Sequence, residues 1–239
     1  FVTYSVADGL PSESNGPIYV DAEGRTWFAP IDGGLHWTKG GHVGTVTDAG
    51  LAHDAVYSIS GRGDELWLGR RRGGLTVLRD HGGSILSETY TEAEGLAQNS
   101  VYAVYQSRSG AVWAGTLSGG VSELKNGHFT TYTAASGLSS NTVTSIAEGP
   151  DGTMWFATPN GLNALSNGKW RVFTVHDGLP SADLSCLWVD SAGVMLIGGA
   201  GGIAWLSSNH IEARRDVPEP LRGQIFGIAE DSSGWLWIA

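Results

Sequence analysis

Cysteine is almost missing from this chain, which holds only Cys186. An internal disulfide is therefore excluded, and so is a cysteine-rich metal framework. Proline is scarce, at 8 residues, and the glycines follow no Gly-X-Y period, which excludes a collagen-like rod. Basic side chains are few: 14 Lys and Arg stand against 24 Asp and Glu, a formal net charge of −10. That balance argues against a nucleic-acid partner, whose phosphates need basic surface. No window approaches 18 consecutive apolar residues, so no segment of the chain is expected to cross a membrane. No stretch carries a helical period, and almost no helix is expected. The chain opens at Phe1 without a basic-then-apolar leader, and both ends are expected to be cuts in a longer protein.

Glycine and tryptophan are what the sequence has in excess. Its 36 glycines amount to about 15% against a usual ~7%. The 10 tryptophans sit among 41% apolar and only 16% charged residues, too apolar for disorder and enough for a core. Many glycines beside many aromatics point to numerous short strands joined by tight turns.

Self-similarity organises the whole chain. Gly-Leu recurs at Gly9-Leu10, Gly50-Leu51, Gly95-Leu96, Gly137-Leu138 and Gly178-Leu179. Each is followed by a bulky marker: Trp27, Trp67, Trp113, Trp155, then Met195 as the exception, then Trp237. A glycine pair comes third, at Gly33-Gly34, Gly73-Gly74, Gly119-Gly120 and Gly201-Gly202, with Asn160-Gly161 in the fourth unit. The approximate repeats are 9–49, 50–94, 95–136, 137–177 and 178–220, with a partial unit at 221–239. In the best-formed unit, strands are expected at about Thr142–Glu148, Met154–Thr158, Leu162–Leu165 and Trp170–Thr174. Asn160-Gly161 and Asn167-Gly168 supply the intervening turns.

Four antiparallel strands per unit of about 42 residues is the pattern of a β-propeller blade. The expected fold is all-β, a propeller of about five full four-stranded blades with partial ones at both ends. Phe1–Tyr4 is expected as a fourth strand in front, and Gln224–Ala239 as a first and second strand behind. The whole is expected to be one domain, a fragment of a seven-unit ring of about 294 residues. The repeated Trp suits the gap between neighbouring blades.

GL-x-x-N-x-V, a strand, D-x-x-G-x-x-W and a Gly-Gly turn together resemble the two-component regulator propeller repeat. Gly137–Val143 (GLSSNTV), Gly95–Val101 (GLAQNSV) and Asp231–Ile238 (DSSGWLWI) carry the likeness best. The resemblance implies a periplasmic, extracytoplasmic sensor segment of an inner-membrane protein of bacteria. It also implies a downstream histidine kinase or cyclase as output, and an oligosaccharide or other nutrient as ligand. A homodimer is a further possible partnership.

Strand order places the loops after strands two and four of each unit on one face. That face collects His53-Asp54, Arg70-Arg71-Arg72, Gln98-Asn99 and Ser140-Asn141. The arginine run stands out because other repeats carry small or uncharged residues there. Guanidinium forks could clamp a carboxylate such as a uronic acid; the plainer reading is a solvated loop, or pairing with a neighbouring acid. His53, Asp54, Arg70, Arg71 and Arg72 are the candidate ligand-binding residues. Asn99 and Asn141 read as turn-closing residues. The D-x-x-G turns (Asp21, Asp151, Asp190, Asp231) lack the carboxylate spacing of a calcium loop. No catalytic residue, metal site or cofactor is expected. Cys186 reads as a small core residue. Two other functions are open: a propeller lyase of the streptogramin-lyase type, for which His53-Asp54 is the one adjacent pair, and a protein-interaction scaffold.

Overall fold

The structure is a computed structural model that describes residues 5–8, 10, 15–46, 50–81, 84–207, 210–214 and 217–239. The strand expected at Phe1–Tyr4 lies outside the described residues. The first sheet is β1 (Asn15–Val20), β2 (Thr26–Pro30), β3 (Leu35–Lys39) and β4 (His42–Val46). The second is β5 (Val56–Arg62), β6 (Glu65–Arg70), β7 (Leu75–His81) and β8 (Ser84–Tyr90). The third is β9 (Val101–Gln106), β10 (Val112–Thr116), β11 (Val121–Lys125) and β12 (His128–Tyr132). The fourth is β13 (Ser145–Glu148), β14 (Met154–Thr158), β15 (Gly161–Ser166) and β16 (Lys169–Phe173). The fifth is β17 (Leu184–Val189), β18 (Met195–Gly199), β19 (Gly202–Ser207) and β20 (His210–Ala213). A pair, β21 (Ile228–Glu230) and β22 (Leu236–Ile238), ends the chain.

Each four-stranded sheet is a meander with its strands in chain order. The helical content among the described residues is confined to 3-10 turns of three or four residues. The expected strand bounds hold within a few residues. The larger differences are β13, which starts at Ser145 rather than Thr142, and β21, which starts at Ile228 rather than Gln224. Thr144 instead sends its backbone N–H and its hydroxyl to the Ala157 carbonyl, and the same hydroxyl lies 2.8 Å from the Leu184 carbonyl.

The repeat markers are local physics made visible. Gly95, Gly137 and Gly178 each close a short 3-10 turn begun by a threonine, and Thr91 and Glu94, and Thr174 and Asp177, cap each other reciprocally, whereas Gly50 precedes its turn. Gly95, Gly137 and Gly178 then take φ of 103°, 110° and 107°, a region that favours glycine. The second glycine of the pair also takes a positive φ, 87° at Gly120, and has a further reason. A Cβ on Gly120 would collide with the Tyr132 carbonyl, where the chain leaves β12.

The chain divides into two compact units, Phe1–Ala114 with Glu123–Phe129, and Gly115–Ser122 with Thr130–Ala239. In the first unit, one core cluster joins Trp27 of β2 to Leu66 and Leu68 of β6. Another joins Trp67 of β6 to Val101 and Val104 of β9 and Val112 of β10. The second sheet is thus packed on both faces. In the second unit, Trp155 of β14 packs with Leu184, Leu187, Met195 and Ile197 of the fifth sheet. Trp27, Trp67 and Trp155 fill gaps between successive sheets, as their spacing predicts, whereas Trp237 in the last pair is exposed. Serine hydroxyls stitch first strands together: Ser58 accepts from Val104 N–H at 3.1 Å, and Ser145 from Leu187 N–H at 3.0 Å.

Strand register corrects one sequence assignment. Trp155 stands opposite Ala147, and Trp27 opposite Tyr19, whereas Met195 stands opposite Val189. The tryptophan place in the fifth sheet is therefore taken by Leu196, opposite Trp188, and not by Met195. Met195 and Leu196 are both apolar and buried, so neither composition nor burial separates them, and only register does. The indole has moved one strand over, from β18 to Trp188 on β17. There its Nε1 is buried without a hydrogen-bond partner.

Candidate functional site

The five candidate residues all lie in the first unit, and the structure divides them into two sets. Arg70 ends β6 and is buried, as is Asp54 just before β5. Arg70 Nε meets Asp54 Oδ2 at 3.1 Å. The same carboxylate accepts from Gly73 N–H at 2.7 Å and from Arg72 N–H at 3.2 Å. Arg70 Nη1 reaches Thr76 Oγ1 at 3.3 Å, and Nη2 reaches the Gly50 carbonyl at 3.0 Å. A buried cation and a buried anion thus satisfy each other and clamp the loop before β5 to the loop after β6.

The corresponding turns after β10 and β14 are closed from within. Thr116 Oγ1 donates to the Gly120 carbonyl and accepts from Gly119 N–H, both at 2.9 Å. Thr158 Oγ1 does likewise toward the Gly161 carbonyl and Asn160 N–H. Arg70 stands where those threonines stand, and exchanges a local closure for one that spans two loops.

Arg71, Arg72 and His53 are exposed on this framework. Arg71 N–H is fixed on the Ala55 carbonyl at 2.9 Å, which ties its backbone to the residue before β5. Two residues on, Tyr57 falls at the irregularity in the β5–β6 ladder between Val56 and Ser58. Its ring lies 4.7 Å from that of Tyr102 in β9, and Tyr102 is 37% exposed. The pair was legible in the repeat, since each Tyr follows the seventh-place valine of its own Gly-Leu unit (Val56-Tyr57, Val101-Tyr102). What the repeat does not mark is that the two rings meet across successive sheets. The second unit has Thr144 and Ser185 at this place, spent on carbonyls of the next loop.

The other sequence candidates have structural roles. Asn99 Oδ1 accepts from Glu92 N–H at 2.9 Å, and Asn141 Oδ1 from Ala134 N–H at 2.8 Å. Their own carbonyls accept from Gly74 and Gly120 N–H, one repeat back. The turn aspartates hold the turn and its tryptophan. Asp21 accepts from Arg25 N–H and from the Trp27 indole, both at 2.8 Å, and Asp231 accepts from Trp235 N–H and the Trp237 indole, both at 3.0 Å. Burial opposes ionisation of Asp21, but the Trp27 and Arg25 hydrogen bonds outweigh it and hold its pKa below the ordinary carboxylate value. His36 stacks on Phe28 and meets Thr45 Oγ1 at 2.9 Å, and burial lowers its pKa. Cys186 is buried in β17, and burial pushes its thiol up to about 11. Among the described residues, no three His, Cys, Asp or Glu side chains gather into a group that could hold a metal.

Residues 137–160 match the family model of the two component regulator propeller, so the fourth unit is a repeat of that type. No curated protein sequence matches the chain. Among solved structures, the extracellular domain of a hybrid two component system from B. thetaiotaomicron is similar over 96% of this chain, with a TM-score of 0.84 and 21% identity. The extracellular domain of a one component system from B. thetaiotaomicron is similar over 98%, with a TM-score of 0.75 and 15% identity. The chain spans about a third of the length of each, 33% and 34%. A virginiamycin B lyase from Staphylococcus aureus, solved with quinupristin, is similar over 96% of this chain and 79% of its own length, with a TM-score of 0.73 and 19% identity. The fold is a β-propeller of four-stranded antiparallel blades.

Proposed function

We propose that the chain is the extracytoplasmic sensor propeller of a bacterial two-component signalling protein. In this reading it binds a ligand on its loop face and passes the binding event to a kinase or cyclase elsewhere in the same protein. The observation that carries the reading is the regulator-propeller match within a fold shared with the extracellular domains of a two component and a one component system. Exposed His53, Arg71 and Arg72 would meet the ligand, and the Arg70–Asp54 pair would hold their loops in place. Exposed guanidinium groups and a tyrosine pair on the same loop face suit an acidic sugar, whose carboxylate takes the forks and whose ring face packs on an aromatic. A ligand of this kind acts on the output only if it binds one arrangement of the protein better than another.

Two experiments test the reading. Protease added to intact cells that make the protein, with the outer membrane permeabilised, should digest this segment; full protection while a cytoplasmic marker is also protected would place it inside and reject the sensor role. Titration of the chain with trigalacturonate by calorimetry should give saturable binding that the triple variant H53A/R71A/R72A weakens about tenfold or more, the loss expected for charge-assisted contacts. No binding, or equal binding by the variant, would remove the ligand-face assignment. The lyase alternative rests on likeness of fold alone. In this chain the acidic member of the His53-Asp54 pair is engaged by Arg70 and two backbone N–H groups.

A further inference from the structure

A concave site, separate from the loop face, lies within the second unit between the fourth and fifth sheets. It is a cleft of about 620 Å³, within the size range of small-molecule sites. Its floor is apolar, with Trp155, Met195 and Phe173, and its rim carries Lys169, Arg171 and Thr153.

The same place between the first and second sheets is nearly full: the space beside Trp27 is about 30 Å³. The turns at the two places are equivalent. Asp21 N–H bonds the Arg25 carbonyl at 3.0 Å, and Gly149 N–H bonds the Thr153 carbonyl at 2.8 Å. Register aligns Trp27 with Trp155 and Trp37 with Ala164. In the first sheet three side chains fill the gap. Arg25 reaches Asp21 and Asp80, both at 2.6 Å, and Trp37 packs against the core beside Trp27. In the fourth sheet Gly149 replaces Asp21, Thr153 replaces Arg25, and Ala164 replaces Trp37. Three plugs have been removed at one place.

The rim has also gained charge. The residue across from Trp37 is Gly44, where any Cβ would run into the indole, whereas the residue across from Ala164 is Arg171. Arg171 is exposed, with its guanidinium 4.1 Å over the Phe173 ring. Lys169 stands two residues earlier on the same edge strand, also exposed. No ion pair engages either among the described residues. The one carboxylate in the lining, Asp151, is turned onto its own loop, with Thr153 N–H at 3.0 Å and Thr153 Oγ1 at 2.9 Å.

We propose that this cleft is a binding site for a small organic anion with a flat apolar body. The body would lie on Trp155 and Met195, and the carboxylate, sulfonate or phosphate would be met by Lys169 and Arg171. The site is independent of the sensor reading and shares no residue with the loop face.

Naphthalene-2-sulfonate is the test probe, with naphthalene-2-methanol as its uncharged match, each titrated calorimetrically into the 239-residue chain. The sulfonate should bind one site in a saturable way, about tenfold or more tighter than the alcohol. K169Q/R171Q, which alters only exposed side chains, should abolish that preference. A164W/R171G rebuilds the first sheet's arrangement and should remove binding of both probes. If it fails to fold, the charge variant still decides. Absence of saturable binding, equal affinity for sulfonate and alcohol, or a preference that survives K169Q/R171Q would each overturn the proposal.

Discussion

Arg70 shows how one side chain can serve stability while appearing to advertise a function. In the sequence it is the first of three adjacent arginines. In the structure it is the buried partner of Asp54, and only Arg71 and Arg72 project. Breaking one half of a buried pair leaves the other half desolvated and unpaired. Arg70→Ala or Asp54→Ala alone should each cost about 3–5 kcal/mol in urea unfolding. The double variant should cost clearly less than the sum, and strict additivity would show that the two charges do not depend on each other. Sequence reasoning raised pairing with a neighbouring acid but could not say which arginine took it. That choice depends on which side of a strand end faces the preceding loop. Cys186 makes a simpler case. With its thiol raised to about 11 by burial, it should stay silent to a disulfide reagent at pH 8 in the folded chain and react fully in denaturant. Prompt modification without denaturant would contradict the packing of β17.

At the scale of the strand and turn, most of the architecture was legible because each marker has one local cause. Asn126 and Asn167 take positive φ of 51° and 50° before Gly127 and Gly168, the backbone that a two-residue hairpin demands. What was not legible is the compensation across strands. A row of paired residues crosses each sheet: Tyr19, Trp27, Trp37 and Gly44 in the first, Ala147, Trp155, Ala164 and Arg171 in the fourth, and Trp188, Leu196, Trp205 and Glu212 in the fifth. Bulk is traded along the row, and only register reveals which residue has taken which place. The aspartate turns give this scale its pH dependence. The folded pKa of Asp21 lies below its unfolded value, so its contribution is present above about pH 4, the ordinary carboxylate value, and is lost as pH falls through the folded value. The melting temperature should therefore fall steeply below about pH 4, and Asp21→Asn should flatten that fall while lowering stability at neutral pH. An identical acid profile in the variant would show that the turn carboxylate is not a determinant.

Across a whole unit, stability is a property of neighbouring sheets rather than of any one sheet. The second sheet offers Leu66 and Leu68 to the first and Trp67 and Val77 to the third, so it belongs to two cores at once. In repeat proteins of this kind, energy is held in the interfaces between adjacent repeats. Trp67 sits in such an interface, with Val101, Val104 and Val112 of the third sheet around it, and its indole N–H lies 3.1 Å from Glu65 Oε2. Trp67→Ala should cost roughly 3–5 kcal/mol, the range for a large buried aromatic. The place where that loss appears is the sharper test. Because the cavity opens toward β9 and β10, amide hydrogen exchange should accelerate in Val101–Gln106 as strongly as in Glu65–Arg70. The interface would then be what ties one repeat's opening to the next. Exchange that accelerates only within the second sheet would mean that each sheet is stable by itself, and the repeated tryptophan would need a different explanation.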